Sequence, residues 1–526
     1  MPFARLHTIG LLVLLALTLM LQAAPTPATL SPNARQLFAD SMRTADASFD
    51  PTTHLLHRPR DPHFNDGGRY MVRESSWYAL GLLLRNHLGD TALANTILTT
   101  VLDNQYTDPS AQWYGSFKRS PEEPAPTAAH HVHYADYDPN WRHFIGTTFQ
   151  LILIHFPDRL TPTLRDRLYQ AIDRAIAGEA SEHRLTPAYS NIALMYGALW
   201  DFAATHNHNA AQQTASAQWN EAVYKLFSTH KAFNEYNSPT YYGVDLYGLA
   251  LLRAHGSTPR LRQLGASMEA TLWTDIADFY SPTLRNIAGP YDRSYGMDME
   301  SYIAVTGVWL RTVLPAATAP LPNPITLDTA HLGDLWFAPH FVLLSTQIPA
   351  AALQKFRHPS PPHLITRTLP PPNSQTVTAE RTATAWISSK VLYGAETNPN
   401  RDISGENNQT SQFHPATLQW RTPSGTIGWV RLLHTSPIEA IADATGLSLH
   451  TPQNQLQFLI HAQGLDPAKL TQTAWPLPGL PLTTTTDAQS FKVAPASDPD
   501  TYTLTYTHVT NLSIQPTPKN LTKPTP

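Results

Sequence analysis

Cysteine is absent from the 526 residues. Disulfides, thiolate zinc sites, iron–sulfur clusters and cysteine nucleophiles are therefore excluded at once. Charge is scarce as well: Asp, Glu, Lys and Arg make up 14% of the chain and nearly cancel, leaving a formal net charge of −4. That balance lacks the basic footprint that nucleic acid or an anionic membrane surface would demand. Long apolar runs are missing beyond the N-terminus, where Arg5 and His7 precede an apolar stretch from Ile9 to Leu21, and Ala23-Ala24 stand before Pro25. This layout predicts a signal peptide over residues 1–24, hence a secreted or periplasmic protein with no membrane partner once the signal is removed. Nothing resembles a glycine-rich nucleotide loop, so no organic cofactor is expected.

What is present is length and histidine. A chain of this size exceeds one ordinary core, so two domains are expected, and core burial can replace the missing disulfides. Twenty-four histidines against 36 Lys and Arg mean that positive charge climbs quickly below neutral pH.

After a Pro/Thr-rich leader (Ala24 to Pro32), apolar residues recur every three or four positions in Trp77–His87, Leu93–Leu102, Phe144–His155 and Leu164–Ala177. The pattern continues through Ile192–Ala204, Gln218–Thr229, Val244–His255, Leu261–Tyr280 and Ser301–Leu314. Asp90 and Thr161-Pro162 read as helix starts. Some connectors are short; others are long and rich in aromatic, Asn, Asp and His residues. Paired helices with functional loops gathered at one end describe an α/α toroid, expected over residues 25–318. Past 318, proline-rich breaks (Pro320 to Pro324, Pro359 to Pro372) alternate with short strand patterns at Thr382–Leu392, Thr417–Arg421, Ile427–Leu433, Leu456–His461 and Thr501–Thr510. The expected fold is thus α+β and multidomain, with an antiparallel β-sandwich-like domain over 319–515 and a disordered tail over 516–526. Sequons at Asn408, Asn511 and Asn520 matter only in a eukaryotic host.

Three polar, aromatic loops stand out in the helical half. The first carries His130-His131-Val132-His133, Asp136 and Asp138-Pro139-Asn140-Trp141-Arg142. The second is Phe233-Asn234-Glu235-Tyr236-Asn237-Ser238-Pro239-Thr240-Tyr241-Tyr242. The third runs from Arg285 through Tyr291-Asp292-Arg293-Ser294-Tyr295. Tyr189-Ser190-Asn191 adds an amide at the start of a helix. Rings stack on the apolar faces of pyranoses, while amides and guanidiniums bind hydroxyl and carboxylate groups.

Elimination at a uronic acid makes definite demands. Its C5 proton becomes acidic only when the sugar carboxylate is neutralised, a task suited to Asn191, Asn237, Arg285 or Arg293. A base must take that proton and an acid must protonate the leaving O4. Tyr291 is the first candidate for both steps, with Tyr295 and Tyr241 in reserve. A phenol needs a neighbouring arginine to serve as a base near neutrality, and Arg285 and Arg293 flank Tyr291 in sequence.

The helical layout and these short motifs resemble the toroid polysaccharide lyases, and among them the glucuronan and mannuronan lyase type, followed by a heparinase-like β domain. The resemblance implies a site built from an Asn, a His, an Arg and a Tyr. Asn191 matches the Asn, while Arg285 and Tyr291 match the Arg and Tyr. The His is missing: the corresponding stretch, Glu235 to Tyr241, holds none, so Asn237 takes that place or a histidine from His130–His133 reaches in. The implied activity is carbon–oxygen lysis of an acidic polysaccharide. Asn191, Arg285 and Tyr291 would be catalytic, and Asn237, Tyr241, Trp141, Arg142, Arg293, Tyr295, Glu235 and His133 would hold the sugar.

Three alternatives stay open on the residues. His131 and His133, with Asp136 or Asp138, have the spacing of a divalent metal site, although no metal is the main expectation. Inverting hydrolysis needs two carboxyl groups about 6.5–9.5 Å apart, for which Glu235 with Asp292, Asp298 or Glu300 is available. A non-catalytic glycan-binding protein would keep the aromatic residues and need none of the acids or bases.

Overall fold

The computed structural model describes residues 26–58, 69–371, 379–399, 412–433 and 437–517. The expected signal peptide, the sequons at Asn408 and Asn520, and residues 518–526 of the expected tail lie outside the described residues. Pro516 closes the last strand, Asn511–Pro516.

A helical N-terminal region is followed by a sheet-rich C-terminal region. The burial pattern of each helix gives its place. Helix Trp141–His155 buries every residue from Trp141 to Leu153, the mark of a helix enclosed on all sides. Its successor Pro162–Glu182 buries only Leu164, Leu168, Ala171, Ile172, Ala175, Gly178 and Glu179, a single stripe at helical spacing. The same contrast separates Ser190–His206 from Ala210–His230. Each of these pairs, with Val72–Arg85 and Asp90–Asp103 before them and Tyr241–His255 and Pro259–Phe279 after, forms a hairpin of one inner and one outer helix. The inner helices pack on one another in chain order, and Ala338–Leu344 packs back on both Val72–Arg85 and Tyr241–His255.

Local signals account for several helix starts. Thr161 accepts the N–H of Leu164 from behind Pro162, as a cap should. Asp90 does not cap; it is the first helical residue behind Gly89, and its carboxylate takes Arg85 (2.8 and 2.9 Å) and the His87 N–H (2.8 Å). One further helix, Pro32–Ser48, begins where the Pro/Thr-rich leader ends, with Ser31 accepting the Ala34 N–H.

Helices continue beyond residue 318, through Leu332–Leu335, Ala338–Leu344 and Ala350–Arg357. The prolines at 320 to 324 mark a loop inside the helical region and not its end; the two large sheets begin at His363.

Eight antiparallel strands form one sheet, in the spatial order Ser490–Pro495, Thr501–Thr507, Gln455–His461, Ile427–Leu432, Ala416–Arg421, Val391–Thr397, Arg381–Ile387, His363–Leu369. Five more form a second sheet: Glu439–Asp443, Gly446–His450, Asn511–Pro516, Leu480–Thr486 and Ala474–Leu477. Strand Gln455–His461 alternates, turning Leu456, Phe458 and Ile460 to a shared core with Trp475 and Ile514. Strand Val391–Thr397 is buried on both faces, because its outer face meets the helical region. There Gly394 and Gly289 pack backbone to backbone: a Cβ on Gly394 would lie 2.0 Å from the Gly289 carbonyl.

Fully burying one large apolar side chain contributes roughly 1.5–3 kcal/mol, and the helical core alone encloses Trp77, Trp273, Trp309 and Trp336. Stability without cysteine follows from two such cores.

Those cores also bury histidine. His340 is fully buried on helix Ala338–Leu344, 2.9 Å from Thr148 Oγ1, and burial pushes its imidazole down to about 3. The unfolded chain takes up a proton near pH 6.5 that folded His340 refuses. Its contribution is therefore whole above pH 6.5 and drains as the pH falls toward 3, a loss of about 3 kcal/mol by pH 4. His255, pushed down to about 4, acts in the same direction. Urea midpoints are expected to fall steadily between pH 7 and pH 4. A His340→Gln variant, weaker at pH 7, is expected to lose less over that interval; an equal loss would discount His340.

Candidate active site

The second and third loops lock together before they form anything else. Tyr236 N–H donates to Asp292 Oδ2 and Asp292 N–H donates to the Tyr236 carbonyl, both at 3.0 Å. Asn237 donates through Nδ2 to the carbonyls of Ala288 (2.6 Å) and Pro290 (2.9 Å). Glu235 and Asn237 both take left-handed backbone angles, φ 58° and 55°, a strain that these bonds hold in place. Just ahead of helix Tyr241–His255, Ser238 Oγ accepts the Tyr241 N–H at 3.0 Å.

That latch sets Glu235 opposite Arg293. One Glu235 oxygen accepts Arg293 NH1 at 2.6 Å; the other accepts Asn191 Nδ2 at 2.6 Å and Ser190 Oγ at 3.1 Å. Ser190 and Asn191 open helix Ser190–His206, so the carboxylate also sits where the helix dipole favours an anion. Arg293 Nε donates to Gln412 Oε1 of the sheet region at 2.9 Å. Its guanidinium lies over the Tyr241 ring, 4.0 Å from the centroid. The Tyr241 and Tyr295 hydroxyls meet at 2.5 Å, and the Tyr295 ring stacks on His331 with centroids 4.9 Å apart. Burial holds the Tyr241 phenol well above the ordinary phenol range, and the Arg293 charge works against that rise.

Tyr241 and Tyr295 line a cavity of about 270 Å³. Four arginines, Arg58, Arg69, Arg73 and Arg119, line it too, against the carboxyl groups of Glu74, Asp138 and Asp334. Burial pushes the Asp138 carboxyl up, and nearby arginines, Arg73 among them, work against that rise. Arg73 pairs with Glu74 (2.5 Å) and stands 4.8, 5.0 and 5.0 Å from the rings of Trp77, Trp141 and Phe144.

The expected catalytic trio does not assemble. Tyr291 is fully buried; its hydroxyl donates to the Ile287 carbonyl and accepts Gln419 Nε2 (2.8 Å), while its backbone pairs with His414. Arg285 lies in the turn between the paired strands Tyr280–Ser281 and Asn286–Ile287. Its guanidinium donates to the carbonyls of Ala319 (3.0 Å) and Leu321 (3.1 Å) and pairs with Glu300. Asn191 is at the site but only 2% exposed, acting on Glu235. Asn237 is spent on carbonyls, as described above. Arg142 and His133 belong to another network: Arg142 is fully buried, donating to Tyr114 O (3.0 Å) and Gln112 O (2.8 Å) and pairing with Glu182, which also binds His133. Five of the expected residues, Glu235, Tyr241, Arg293, Tyr295 and Trp141, do gather at the cavity or its rim. Arg73, Arg119, His331 and Gln412 are present there without having been singled out.

The metal alternative finds no geometry. His131 contacts the Thr127 carbonyl (3.2 Å), His133 turns to Glu182, and Asp136 accepts the Val132 N–H (2.7 Å). Among the described residues no group of three or more His, Asp or Glu is placed to hold an ion. The carboxyls considered for hydrolysis are engaged as well. Asp292 pairs with Arg381 (2.7 Å), and Glu300 with Arg285 and with Arg421 (2.9 Å). Asp298, its carboxyl pushed up to about 6 by burial, accepts the Glu300 N–H at 2.8 Å. None of these three, nor Glu235, lines the cavity.

A family model described as Domain of unknown function (DUF8769) matches residues 35–346, the helical region that carries the three loops. The chain belongs to that family. A second model, Domain of unknown function (DUF8770), matches residues 362–518 of this DUF8769 protein, the sheet region. No curated protein matches the chain. Among solved structures it is similar to the chondroitin AC lyase of Streptomyces coelicolor A3 in complex with chondroitin sulphate, at 12% identity, 94% of this chain and 80% of that chain covered, TM-score 0.43. It is also similar to heparinase III, at 9% identity with 93% and 85% covered and TM-score 0.41. For xanthan lyase of Paenibacillus the values are 11%, 93%, 58% and 0.40. At these identities and TM-scores, nothing those enzymes do is transferred to the DUF8769 protein.

The latch itself depends on Arg381, 2% exposed, which holds Asp292 at 2.7 and 2.8 Å and Glu396 at 3.0 Å. Removing it strands two buried carboxyls. Arg381→Met is expected to cost about 3–5 kcal/mol in a denaturant titration. Arg260→Ala, which breaks an exposed pair with Glu221, is expected to leave the denaturant midpoint nearly unchanged.

Proposed function

We propose that this protein is a polysaccharide lyase on an α/α toroid, cutting an acidic polysaccharide beside a uronic acid by β-elimination. The observation that carries the reading is the phenol pair Tyr241–Tyr295 at an arginine-lined cavity, with the Arg293 guanidinium over one ring. Two phenols in direct contact supply an acid and a base at one point, and a positive charge beside them favours ionisation of one of the two.

The roles follow from the surroundings. Arg293, oriented by Glu235 and Gln412, turns its remaining N–H groups to the substrate carboxylate and stabilises the charge that grows as C5 loses its proton. Asn191 and Ser190 act through Glu235 as positioning residues. Tyr241, held neutral by burial, is the acid. Tyr295, as phenolate, takes the C5 proton; the C5–H electrons form the C4=C5 double bond; the C4–O4 bond breaks, and Tyr241 protonates O4. Tyr241 is then the phenolate, and the proton on Tyr295 crosses the 2.5 Å hydrogen bond to restore the pair. Trp141 lines the same cavity. Export to a secreted or periplasmic location belongs to the same reading. Among the described residues no helix is long and apolar enough to cross a membrane.

The test is ultraviolet absorbance of the conjugated double bond on a panel of uronate polymers. Tyr241→Phe and Tyr295→Phe are each expected to cut turnover by about 10²–10⁴-fold while binding is largely kept. Activity is expected to fall only above the ordinary phenol range, where Tyr241 loses its proton. New reducing ends without absorbance would replace elimination by hydrolysis.

A further inference from the structure

The cavity is blind. Helices Val72–Arg85, Trp141–His155, Tyr241–His255 and Val305–Arg311 each give it lining residues, so it lies where the inner helices converge. Its inner end is closed by rings: Phe337 stacks on Trp77 at 4.4 Å, Phe144 lies 6.3 Å from both, and Tyr247 abuts Phe337 at 4.7 Å. Trp77 and Phe337 are 1% exposed and Tyr247 fully buried. A polysaccharide cannot pass through such a plug.

The size is restrictive as well. About 270 Å³ is the share of about nine waters at ~30 Å³ each, room for one or two pyranose rings. The reacting phenols line this same space. A chain that places a bond at Tyr241 and Tyr295 and also fills the cavity must therefore end within it, one or two residues beyond the cut.

From this geometry we infer that the cavity is a terminal subsite for one or two sugar residues, and that the enzyme shortens chains from one end. The inference rests on the lyase reading and adds to it the mode of attack. The elimination itself is unchanged: the bond that breaks is C4–O4 between the terminal piece and the rest of the chain.

The full chain after removal of residues 1–24 is incubated with uronate homopolymers and with sulfated uronate-containing glycans. Products are sized at low turnover by gel filtration read at the absorbance of the new double bond. A terminal subsite predicts mono- or disaccharide products from the first time points, with the polymer peak and the viscosity nearly unchanged. A ladder of intermediate sizes with an early fall in viscosity would overturn the inference and leave the lyase reading standing. Absence of absorbance from every polymer would remove the lyase reading first, and the inference with it.

A variant checks the cavity directly. Gly333 lines it, and a Cβ there would meet only Met71 Cε at 3.5 Å and Glu74 Cγ at 3.8 Å, ordinary contacts. Gly333→Leu is expected to lower kcat/KM at least tenfold while the melting temperature moves by only a few degrees. Unchanged kcat/KM in a folded variant would overturn the assignment.

Discussion

Asp292 is the residue on which the site turns. Its carboxylate is held by Arg381 of the sheet region, and its backbone and side chain both bind Tyr236 across the gap between two loops. Together with the Asn237 bonds to the Ala288 and Pro290 carbonyls, that clasp sets the distance at which Glu235 and Arg293 face one another. The clasp is buried and charged, so it is costly to desolvate and stable only while every partner is present. The helical family domain thus supplies the side chains gathered at the site, and the sheet domain fixes the loop that carries two of them. The backbone contact of Gly289 with Gly394 and the Gln412 bond to Arg293 make the same attachment at two further points.

The architecture explains why the loops can be so polar. Inner helices are buried on every side and outer helices carry one buried stripe, so apolar burial is satisfied along the length of the hairpins. The loops at the mouth then contribute little to the core and are available for charge and hydrogen bonding. Charged groups there are still handled in sets. Glu235 has three donors, Arg293 has an anion and an amide, and Glu182 gathers Arg142, His133 and Tyr137. This is the arrangement that partial burial in a weakly charged protein requires.

The periodic helices and the change from helix to sheet were legible because both depend on local pattern: Leu164, Leu168 and Ile172 can serve no other purpose at that spacing. The boundary was not, since Pro320 to Pro324 in a loop looks like proline in a linker. The loops were recognisable as functional by composition, yet composition could not tell Tyr291 from Tyr295. Residues four apart in extended chain share a face, so alternation could not separate them, and only the pairing of Tyr291 with His414 shows which phenol is buried against the sheet. Arg285 misled for a related reason: its turn points the guanidinium at the carbonyls of 319 and 321, a partnership invisible at 34 residues' distance. Arg73 sits four residues before Trp77 on a helix whose pattern reads as core. His331 stands alone in a stretch with no motif. No local signal marks either.

For the proposed elimination, burial poses the central difficulty, because a phenol would have to change its protonation state. A single enclosed tyrosine such as Tyr291 is pushed up and held neutral, with Gln419 as its one favourable neighbour. Tyr241 suffers the same desolvation but differs in two respects: a guanidinium lies on its ring, and a second phenol shares its hydrogen bond. The first lowers the cost of negative charge nearby. The second lets one phenol ionise while the other keeps its proton, so the pair needs a single negative charge for both an acid and a base. That economy belongs to the contact between Tyr241 and Tyr295, and neither residue alone possesses it.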